Sequence, residues 1–342
     1  MFMNNILQKI YNILIVMNTL TSFVIFIVIL FLYFHITSQY KKSEDLEIYE
    51  ADYISNTQLQ EVCDVRQPVL FDIRVLSVPF LAENRLDWEN VLEIAKKSSM
   101  DVHVKDLRDI RQLDAEYGGD SVPLPLSSAT GLMETDSKSR FFSENNEDFV
   151  GEALEGRLST MDEWIKPSFT AITKRDIMFG SEGAYTPMRY HTDYRRFFLV
   201  SSGKIWVKMT PWKSRNFLHV EKDYVNYEFR SPVDVWNPQE KYMNDMENLK
   251  CLEFEVSAGF LLYIPPYWFY SIKYDKKGEE GVSQVYGWTY NSIMNVASNL
   301  PEWGMFYLQQ WNTEKKTLKK LAIREPEEEK TVEEAYIDEN ME

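Results

Sequence analysis

The chain has 342 residues, 44% of them hydrophobic and 14% aromatic, which is enough apolar material for one or two folded domains. Its formal net charge of −16 argues against a nucleic-acid-binding surface, because contacts to phosphates need clustered Lys and Arg. Two cysteines, Cys63 and Cys251, are too few for a disulfide framework, and neither has a metal-binding spacing. We expect two buried thiols, with a single bridge as the alternative.

The first feature along the chain is an uncharged segment between residues 11 and 40. As a helix, its densest part, residues 13–34, would span about 33 Å, enough to cross a bilayer core of about 30 Å. The apolar run is longer than that of a signal peptide, and no small-residue cleavage site follows it. We therefore predict a single-pass membrane protein that contacts lipid through residues 13–34, with a cleaved signal peptide or a buried core helix as alternatives.

The side of the membrane on which the domain lies is less firmly indicated. Lys9 and the amino terminus flank one end of the apolar segment, and Lys41 and Lys42 flank the other, so the positive charges do not orient it. The chain contains no Asn-x-Ser/Thr sequon and few cysteines, which favours a cytosolic domain.

Composition divides the chain into five parts. Residues 1–40 form the N-terminal end and membrane helix, residues 41–60 a polar stalk, and residues 61–300 a folded domain. A C-terminal helix over residues 301–324 follows. Residues 325–342 carry nine acidic residues and one Lys, and we expect this tail to be disordered and solvated.

The folded domain is predicted to be mainly β with some α, because short strands and turn signals recur along it. Before its centre we predict a strand at residues 67–73, a helix at 86–97, a strand at 100–106 and short helices within 147–158. Later elements are a turn at 179–183, two strands within 197–209 joined at Ser202-Gly203, a turn at 257–259 and a strand at 282–290. This pattern is typical of a β-sandwich or jelly roll.

Two motifs carry a family resemblance: TPMRYHTD at residues 186–193 and SAGFLLYIPPYWFY at residues 257–270. Together they resemble the cupin-like JmjC proteins, a group that includes asparaginyl and lysyl hydroxylases. The resemblance covers roughly residues 60–300 and implies a double-stranded β-helix, the cupin/JmjC jelly roll, with flanking helices. More loosely, the anchor plus this domain resembles cupin-like proteins encoded by large DNA viruses of protists.

The resemblance implies a possible iron site. Active family members bind Fe(II) through two His and one carboxylate and use 2-oxoglutarate as cosubstrate. His191 and Asp193 have the His-x-Asp spacing and are the candidate metal ligands. Direct register from Thr186, however, places the first two ligand positions on Arg189 and His191. The third falls on Tyr270, a poor Fe(II) ligand at neutral pH because a phenol has a pKa of about 10.

The cosubstrate site also departs from the family pattern. Alternation in the strand over residues 203–209 turns Ile205, Val207 and Met209 inward. The position of the family's anchoring Lys is Ile205, so Lys204 should point outward, and Arg189 is the substitute anion anchor. The candidate pocket therefore comprises Thr186, Arg189, Tyr263, Trp268 and Tyr270.

We accordingly expect a degenerate iron site, with no cofactor, in a binding or structural protein held at a membrane. It would hold a protein partner or a small anion, and a subunit of a virion or membrane complex is a variant of this hypothesis. The alternative is an Fe(II)/2-oxoglutarate-dependent protein hydroxylase with an altered ligand set. The aromatic residues of the C-terminal helix indicate a membrane-surface helix, a homodimer contact or a cap on the barrel; they are Trp303, Phe306, Tyr307 and Trp311.

Overall fold

A computed structural model describes residues 2–74, 88–96, 100–108, 121–275 and 282–317. The predicted tail over residues 325–342 and the end of the predicted helix over residues 301–324 lie outside the described residues. Within them the chain is mixed α and β, with two large, mostly antiparallel sheets and one long apolar helix at the N-terminus.

The described residues include fifteen strands. These are β1 (Tyr49–Asp52), β2 (Val69–Asp72), β3 (Val102–Asp106), β4 (Val122–Leu124), β5 (Phe141–Ser143), β6 (Thr170–Gly180), β7 (Arg189–Tyr190), β8 (Arg195–Ser202), β9 (Lys204–Thr210), β10 (Glu221–Asp223), β11 (Glu228–Arg230), β12 (Leu252–Ser257), β13 (Phe260–Ile264), β14 (Phe269–Asp275) and β15 (Ser283–Ser292). The larger sheet has nine strands in the order β1-β2-β13-β8-β15-β6-β5-β3-β4, and the smaller has six in the order β10-β11-β7-β14-β9-β12. Only the β1–β2 pair is parallel among these described strands.

The helices lie mainly before the strand-rich half and at the two ends of the chain. They are α1 (Phe2–Gln39), α2 (Asn56–Cys63), α3 (Trp88–Ala95), α4 (Leu126–Thr135), α5 (Glu147–Ala153), α6 (Glu155–Leu158), α7 (Asp162–Ile165), α8 (Met243–Asn248), α9 (Ile293–Ser298) and α10 (Leu300–Thr317). Single 3-10 turns occupy Ser159–Met161, Trp212–Phe217 and Glu240–Tyr242.

The nine-stranded sheet buries both of its faces. Successive side chains of a strand point to opposite faces, so neighbours in sequence enter different cores. Leu199 of β8 and Leu261 of β13 pack with the helices on one face. Phe198 and Leu262, their neighbours, pack on the other face against the six-stranded sheet. The molecule is therefore layered as helices, large sheet and small sheet.

The predicted strand pair within residues 197–209 is confirmed as β8 and β9. Ile205, Val207 and Met209 are fully buried between the sheets, as their alternation predicts. Lys204 points outward, where its Nζ lies 2.9 Å from Glu255 Oε2. The outward direction predicted for Lys204 is therefore confirmed.

The polar segment at residues 41–60, predicted as a stalk, instead lies against the domain. The Lys42 ammonium sits 4.1 Å above the Trp212 ring, and Lys213 Nζ donates to the Glu44 carbonyl at 2.6 Å. β1 pairs with β2, and α2 begins at Asn56, capped by the Ser55 hydroxyl. Tyr53 and Leu59 of this segment are buried in the core on the helical side of the large sheet, so the segment is part of the domain.

The N-terminal helix joins this domain at its last turn. Residues Val16–Gln39 of α1 are long and apolar enough to cross a membrane. The most apolar stretch of this segment has no buried residue. Such exposure does not fit the core-helix alternative. At the domain end, Gln39 is buried and the Tyr40 hydroxyl donates to the Ser298 carbonyl of α9. The direction in which α1 leaves the domain is thus fixed by contacts.

Candidate ligand-binding cleft

A cleft of about 480 Å³ opens between the two sheets. Side chains of β6, β7, β8, β14 and β15 form its floor, and the β10–β11 turn and α10 form its rim. Part of the lining is charged and part is aromatic. The aromatic residues are Tyr190, Phe198, Tyr227, Phe229, Tyr270, Trp303 and Phe306.

Arg189 lies at the centre of one charged network. It is buried on the two-residue strand β7, between β11 and β14, and pairs across the sheet with Tyr270. Its guanidinium makes two hydrogen bonds to Glu144, one of them with Nη1 2.8 Å from Oε1. Lys105 Nζ donates to the same carboxylate at 3.0 Å and lies 3.4 Å from Glu228. Two buried cations thus share two carboxylates.

Electrostatics keep this network ionised. Burial by itself would raise the pKa of the Glu144 carboxyl, but Arg189 and Lys105 lower it well below its usual range. Burial would likewise lower the pKa of Arg189, and Glu144 raises it instead. Arg189 is therefore a charged group that is already neutralised by its partners.

Arg196, on β8 of the nine-stranded sheet, organises a second network. Its Nη1 donates to Tyr270 Oη at 2.6 Å, and its Nη2 donates to Asp193 Oδ2 at 2.5 Å. Asn291 Nδ2 donates to the other Asp193 oxygen at 3.0 Å. Burial would raise the pKa of Asp193, but the charge of Arg196 and the hydrogen bond from Asn291 lower it. Asp193 is consequently an anion with both oxygens occupied.

His191 lies beside this second network and is neutral at physiological pH. Burial, followed by the charge of Arg196, lowers the pKa of its imidazole to about 3. Its Nε2 is 3.1 Å from the Ile264 carbonyl, which can only accept, so Nε2 carries the proton. Nδ1 then presents a lone pair, with Asp193 Oδ2 3.6 Å away.

Four buried nitrogen atoms of the cleft residues have no hydrogen-bond partner within the described part of the chain. They are Nδ1 of His191 and the Nε atoms of Arg175, Arg189 and Arg196. Buried polar atoms are nearly always paired, with protein, water or ligand. The residues that line the cleft therefore carry three N–H donors and one acceptor that have no protein partner among the described residues.

The donor set does not fit the Fe(II) site that the sequence resemblance implies. No group of three or more His, Cys, Asp or Glu residues able to hold a metal occurs in the part of the chain that the structure describes. Asp193 is occupied by Arg196 and Asn291, and Tyr270 accepts from Arg196. Arg189, directly across from Tyr270, would repel a cation placed between them.

The structure brings together four of the seven residues singled out in the sequence: Arg189, His191, Asp193 and Tyr270 all line the cleft. The other three, predicted for the same pocket, lie elsewhere, because β-strand alternation or turn geometry directs them away. Thr186 accepts from the Ile272 amide at 3.0 Å, beside β14. Trp268 is buried in the core between the sheets, and Tyr263 faces the helices on the far side of the large sheet.

Residues that sequence reasoning missed complete both networks. They are Lys105, Glu144, Arg196, Glu228 and Asn291, contributed by five separate segments. Arg196 follows the first motif by three residues, so its position in the sequence could have indicated a role in the site. No spacing links the other four, because each reaches the cleft only through the pairing of strands distant in sequence.

The C-terminal helix closes one side of the cleft. The Trp303 ring stacks on Tyr227 with centroids 4.9 Å apart, and Phe306 meets the same tyrosine edge-on. Glu302 bonds to Lys222 at 2.8 Å and also to the Tyr224 hydroxyl. The inward face of this helix thus covers one side of the cleft, in line with the capping role predicted as one of three alternatives.

Comparison of the sequence with known protein-family models gives no match, and no curated protein matches it either. What the cleft does must therefore be inferred from its residues.

Proposed function

We propose that the chain is a membrane-anchored binding protein whose domain is a cupin-like double-stranded β-helix with the iron site replaced by ion pairs. The observation that carries this proposal is the pairing of Arg189 with Tyr270 across β7 and β14. In the JmjC pattern these two positions, with His191, would supply the three ligands. Here the first is a guanidinium bound to Glu144 and the third a phenol bound to Arg196.

Membrane attachment is supported by the length and exposure of Val16–Gln39, whose 24 residues span about 36 Å as a helix. A signal sequence passes the same test of length and composition. Against removal of the segment stands its integration with the domain, because Gln39 is buried and Tyr40 bonds to Ser298. The intact mass of the chain recovered from membranes distinguishes the two cases.

The ligand class follows from the chemistry of the cleft. The unpaired Nε–H groups of Arg189 and Arg196 call for a ligand with acceptor atoms, such as a carboxylate. The aromatic rim, including Trp303 and Phe306, provides contact area for an apolar portion. A volume of about 480 Å³ is in the range of small-molecule sites. We infer a small organic anion, with a peptide carboxylate as the protein-borne equivalent.

Binding is tested with succinate as the probe, by urea unfolding of the full chain in detergent micelles without added metal. A ligand at 100 times its Kd stabilises the folded state by about 2.7 kcal/mol. Arg196→Lys keeps the charge beside Asp193 but removes the Nε–H donor, so it should abolish the stabilisation. Arg215→Lys changes an exposed arginine outside the cleft and should keep it. An equal succinate response in all three proteins would contradict the assignment.

A second function has one specific observation in its favour. His191 and Asp193 converge inside the cleft, with Nδ1 3.6 Å from Oδ2, and Nδ1 has a free lone pair. An Fe(II)/2-oxoglutarate-dependent hydroxylase could use these two groups only if Asp193 released Arg196. That rearrangement costs a buried ion pair, which is why we rank this function second.

One measurement separates the two functions. The full chain in micelles is loaded with Fe(II) without oxygen, and bound iron is counted beside a His191→Ala control. We expect no iron above the control. One iron per chain, lost in the variant and accompanied by 2-oxoglutarate turnover, would establish the hydroxylase and refute the binding-protein proposal.

A further inference from the structure

The outward face of α10 is apolar over three turns. Its exposed side chains include Leu300, Met305, Tyr307 and Leu308, which are 61%, 48%, 65% and 62% exposed. Residues 300–311 contain one charged residue, Glu302, and it turns inward to Lys222 and Tyr224. A helix with one such uncovered face needs an apolar or interfacial surrounding.

The position of this face relative to α1 is set by direct contacts. α10 begins two residues after Ser298. The Ser298 carbonyl accepts a hydrogen bond from the hydroxyl of Tyr40, which follows the end of α1. The first residue of the outward face, Leu300, therefore lies next to the point where the apolar helix leaves the domain. Any membrane that α1 crosses meets the domain at this place.

A second exposed aromatic lies at the same end of the molecule. Phe169 is 82% exposed, and its carbonyl accepts from the amide of Ile293, itself 58% exposed, at the start of α9. Phe169 has φ 57°, in the left-handed region that bulky residues rarely adopt. A large ring that is held outward at a strained position is a candidate for a contact outside the domain.

We propose that the outward face of α10, together with Phe169 and Ile293, lies in the interfacial layer of the same bilayer that α1 crosses. The inference rests on the membrane attachment proposed above. Lipid is the occupant because α1 fixes this face at the bilayer surface, and because four lysines at residues 315–320 favour anionic headgroups. A second copy of the chain would have to displace that lipid.

The arrangement gives the cleft a location. Trp303 and Phe306 of α10 line the cleft, whereas Tyr307 and Leu308 of the same helix face away from it. A helix lying in the interface would therefore form a wall shared by the cleft and the membrane. Ligands of the cleft would be molecules, or chain segments of membrane proteins, that are concentrated at the bilayer surface.

The test uses the full chain in nanodiscs of phosphatidylcholine and phosphatidylserine, with nitroxide labels on single cysteines. Cys251→Ser removes the partly exposed thiol, and fully buried Cys63 is kept. Labels enter through Met305→Cys and Leu308→Cys on α10. Ile29→Cys, 59% exposed on α1, is the lipid reference. Val122→Cys, 57% exposed on edge strand β4, is the matched aqueous control. All four replace exposed side chains, so the fold should be retained.

The relative collision rates of each label with oxygen and with a water-soluble nickel complex give the result. We expect positions 305 and 308 to resemble position 29, with the ratio of oxygen to nickel collisions at least threefold higher than at position 122. If the collision ratios at positions 305 and 308 match position 122 while the ratio at position 29 is that of lipid, the interfacial placement of α10 is wrong and the membrane anchor is retained. Aqueous values at 29 would overturn the anchor itself. Spin–spin broadening between copies at 308 would overturn lipid in favour of a homodimer.

Discussion

Replacing Glu144 by Gln removes the carboxylate on which the Arg189 network depends. Glu144 is 1% exposed and receives three hydrogen bonds from two buried cations. Glutamine keeps the shape and one acceptor oxygen but removes the charge. The variant would leave Arg189 and Lys105 buried with only Glu228 to balance them.

The structure sets the expected magnitude. Removing one partner of a buried ion pair costs about 3–5 kcal/mol, because the other charge stays buried and unpaired. Glu228 lies 3.4 Å from Lys105 and 3.8 Å from Arg189, so part of the charge remains balanced. We therefore expect Glu144→Gln to lower the free energy of unfolding by about 3 kcal/mol, the bottom of that range.

A matched control exists three residues away. Glu147 also pairs with a lysine, Lys174, at 2.8 Å, but both side chains are more than 40% exposed. Exposed pairs contribute about 0–1 kcal/mol, so Glu147→Gln should change stability by less than about 1 kcal/mol. Urea unfolding of both variants in the same micelles measures the difference. Equal destabilisation of the two would refute the view that the cleft charges are structurally coupled.

The pH dependence of the same variant has a definite sign. The pKa of Glu144 is lower in the folded chain than in the unfolded chain, where it is about 4.3. Its contribution to stability is therefore complete above that value and is lost as the pH falls below it. The difference between the original protein and Glu144→Gln should be constant above about pH 6 and should shrink below about pH 4.

Three further outcomes are expected. The pKa of His191 is about 3 in the folded chain and about 6.5 in the unfolded chain, so on acidification the unfolded chain binds the proton first. The free energy of unfolding should therefore fall by about 1 kcal/mol between pH 7 and pH 5.5. Urea unfolding of His191→Gln should lack that loss, and an unchanged slope would contradict neutral burial. Phe169→Asn relieves the left-handed backbone strain but also removes the ring proposed to lie in the interfacial layer, so the unfolding free energy in micelles should not rise; an increase of about 0.5 kcal/mol would show that the ring makes no stabilising contact there. Burial raises the pKa of the Cys63 thiol to about 12 and that of the Cys251 thiol to about 11. Iodoacetamide at pH 8 should therefore modify both thiols at least about a hundredfold more slowly in the folded chain than in urea. Rapid labelling of either cysteine in the folded chain would refute the burial of that thiol.

Local patterns in the sequence were sufficient for the elements whose cause is local. The β8–β9 hairpin follows from alternation on either side of Ser202-Gly203, and Gly203 adopts φ 69° there, with Ser283 where a side chain would project. The same alternation predicted the outward direction of Lys204. The helix predicted at residues 86–97 is present as Trp88–Ala95 within the described residues. In each case one short stretch of chain contains the whole signal.

The parts that the sequence did not predict depend on contacts between distant segments. β1 is a strand because Tyr49–Asp52 pairs with β2, although its own residues are polar and mostly exposed. Glu144 is a site residue because Arg189 reaches it from 45 residues away. Tyr263 was assigned to the pocket from its motif, but the pleat turns it to the helical side. Side-chain direction at a motif therefore needs the strand's register as well as its identity.

The two ion-pair networks together determine what can occupy the cleft. A divalent cation at His191 would need Asp193, and would have to compete for it with the Arg196 guanidinium, already 2.5 Å away. A further carboxylate of the cleft, Glu144, is held by Arg189 and Lys105. Removing Arg189 alone would leave the Arg196–Asp193 pair intact, so it should not create a metal site. Conversely, the two paired arginines line the cleft and keep unpaired Nε–H groups, and an acceptor-bearing ligand could satisfy these groups without breaking either pair. The same ion pairs that disfavour a metal thus favour a small anion in its place.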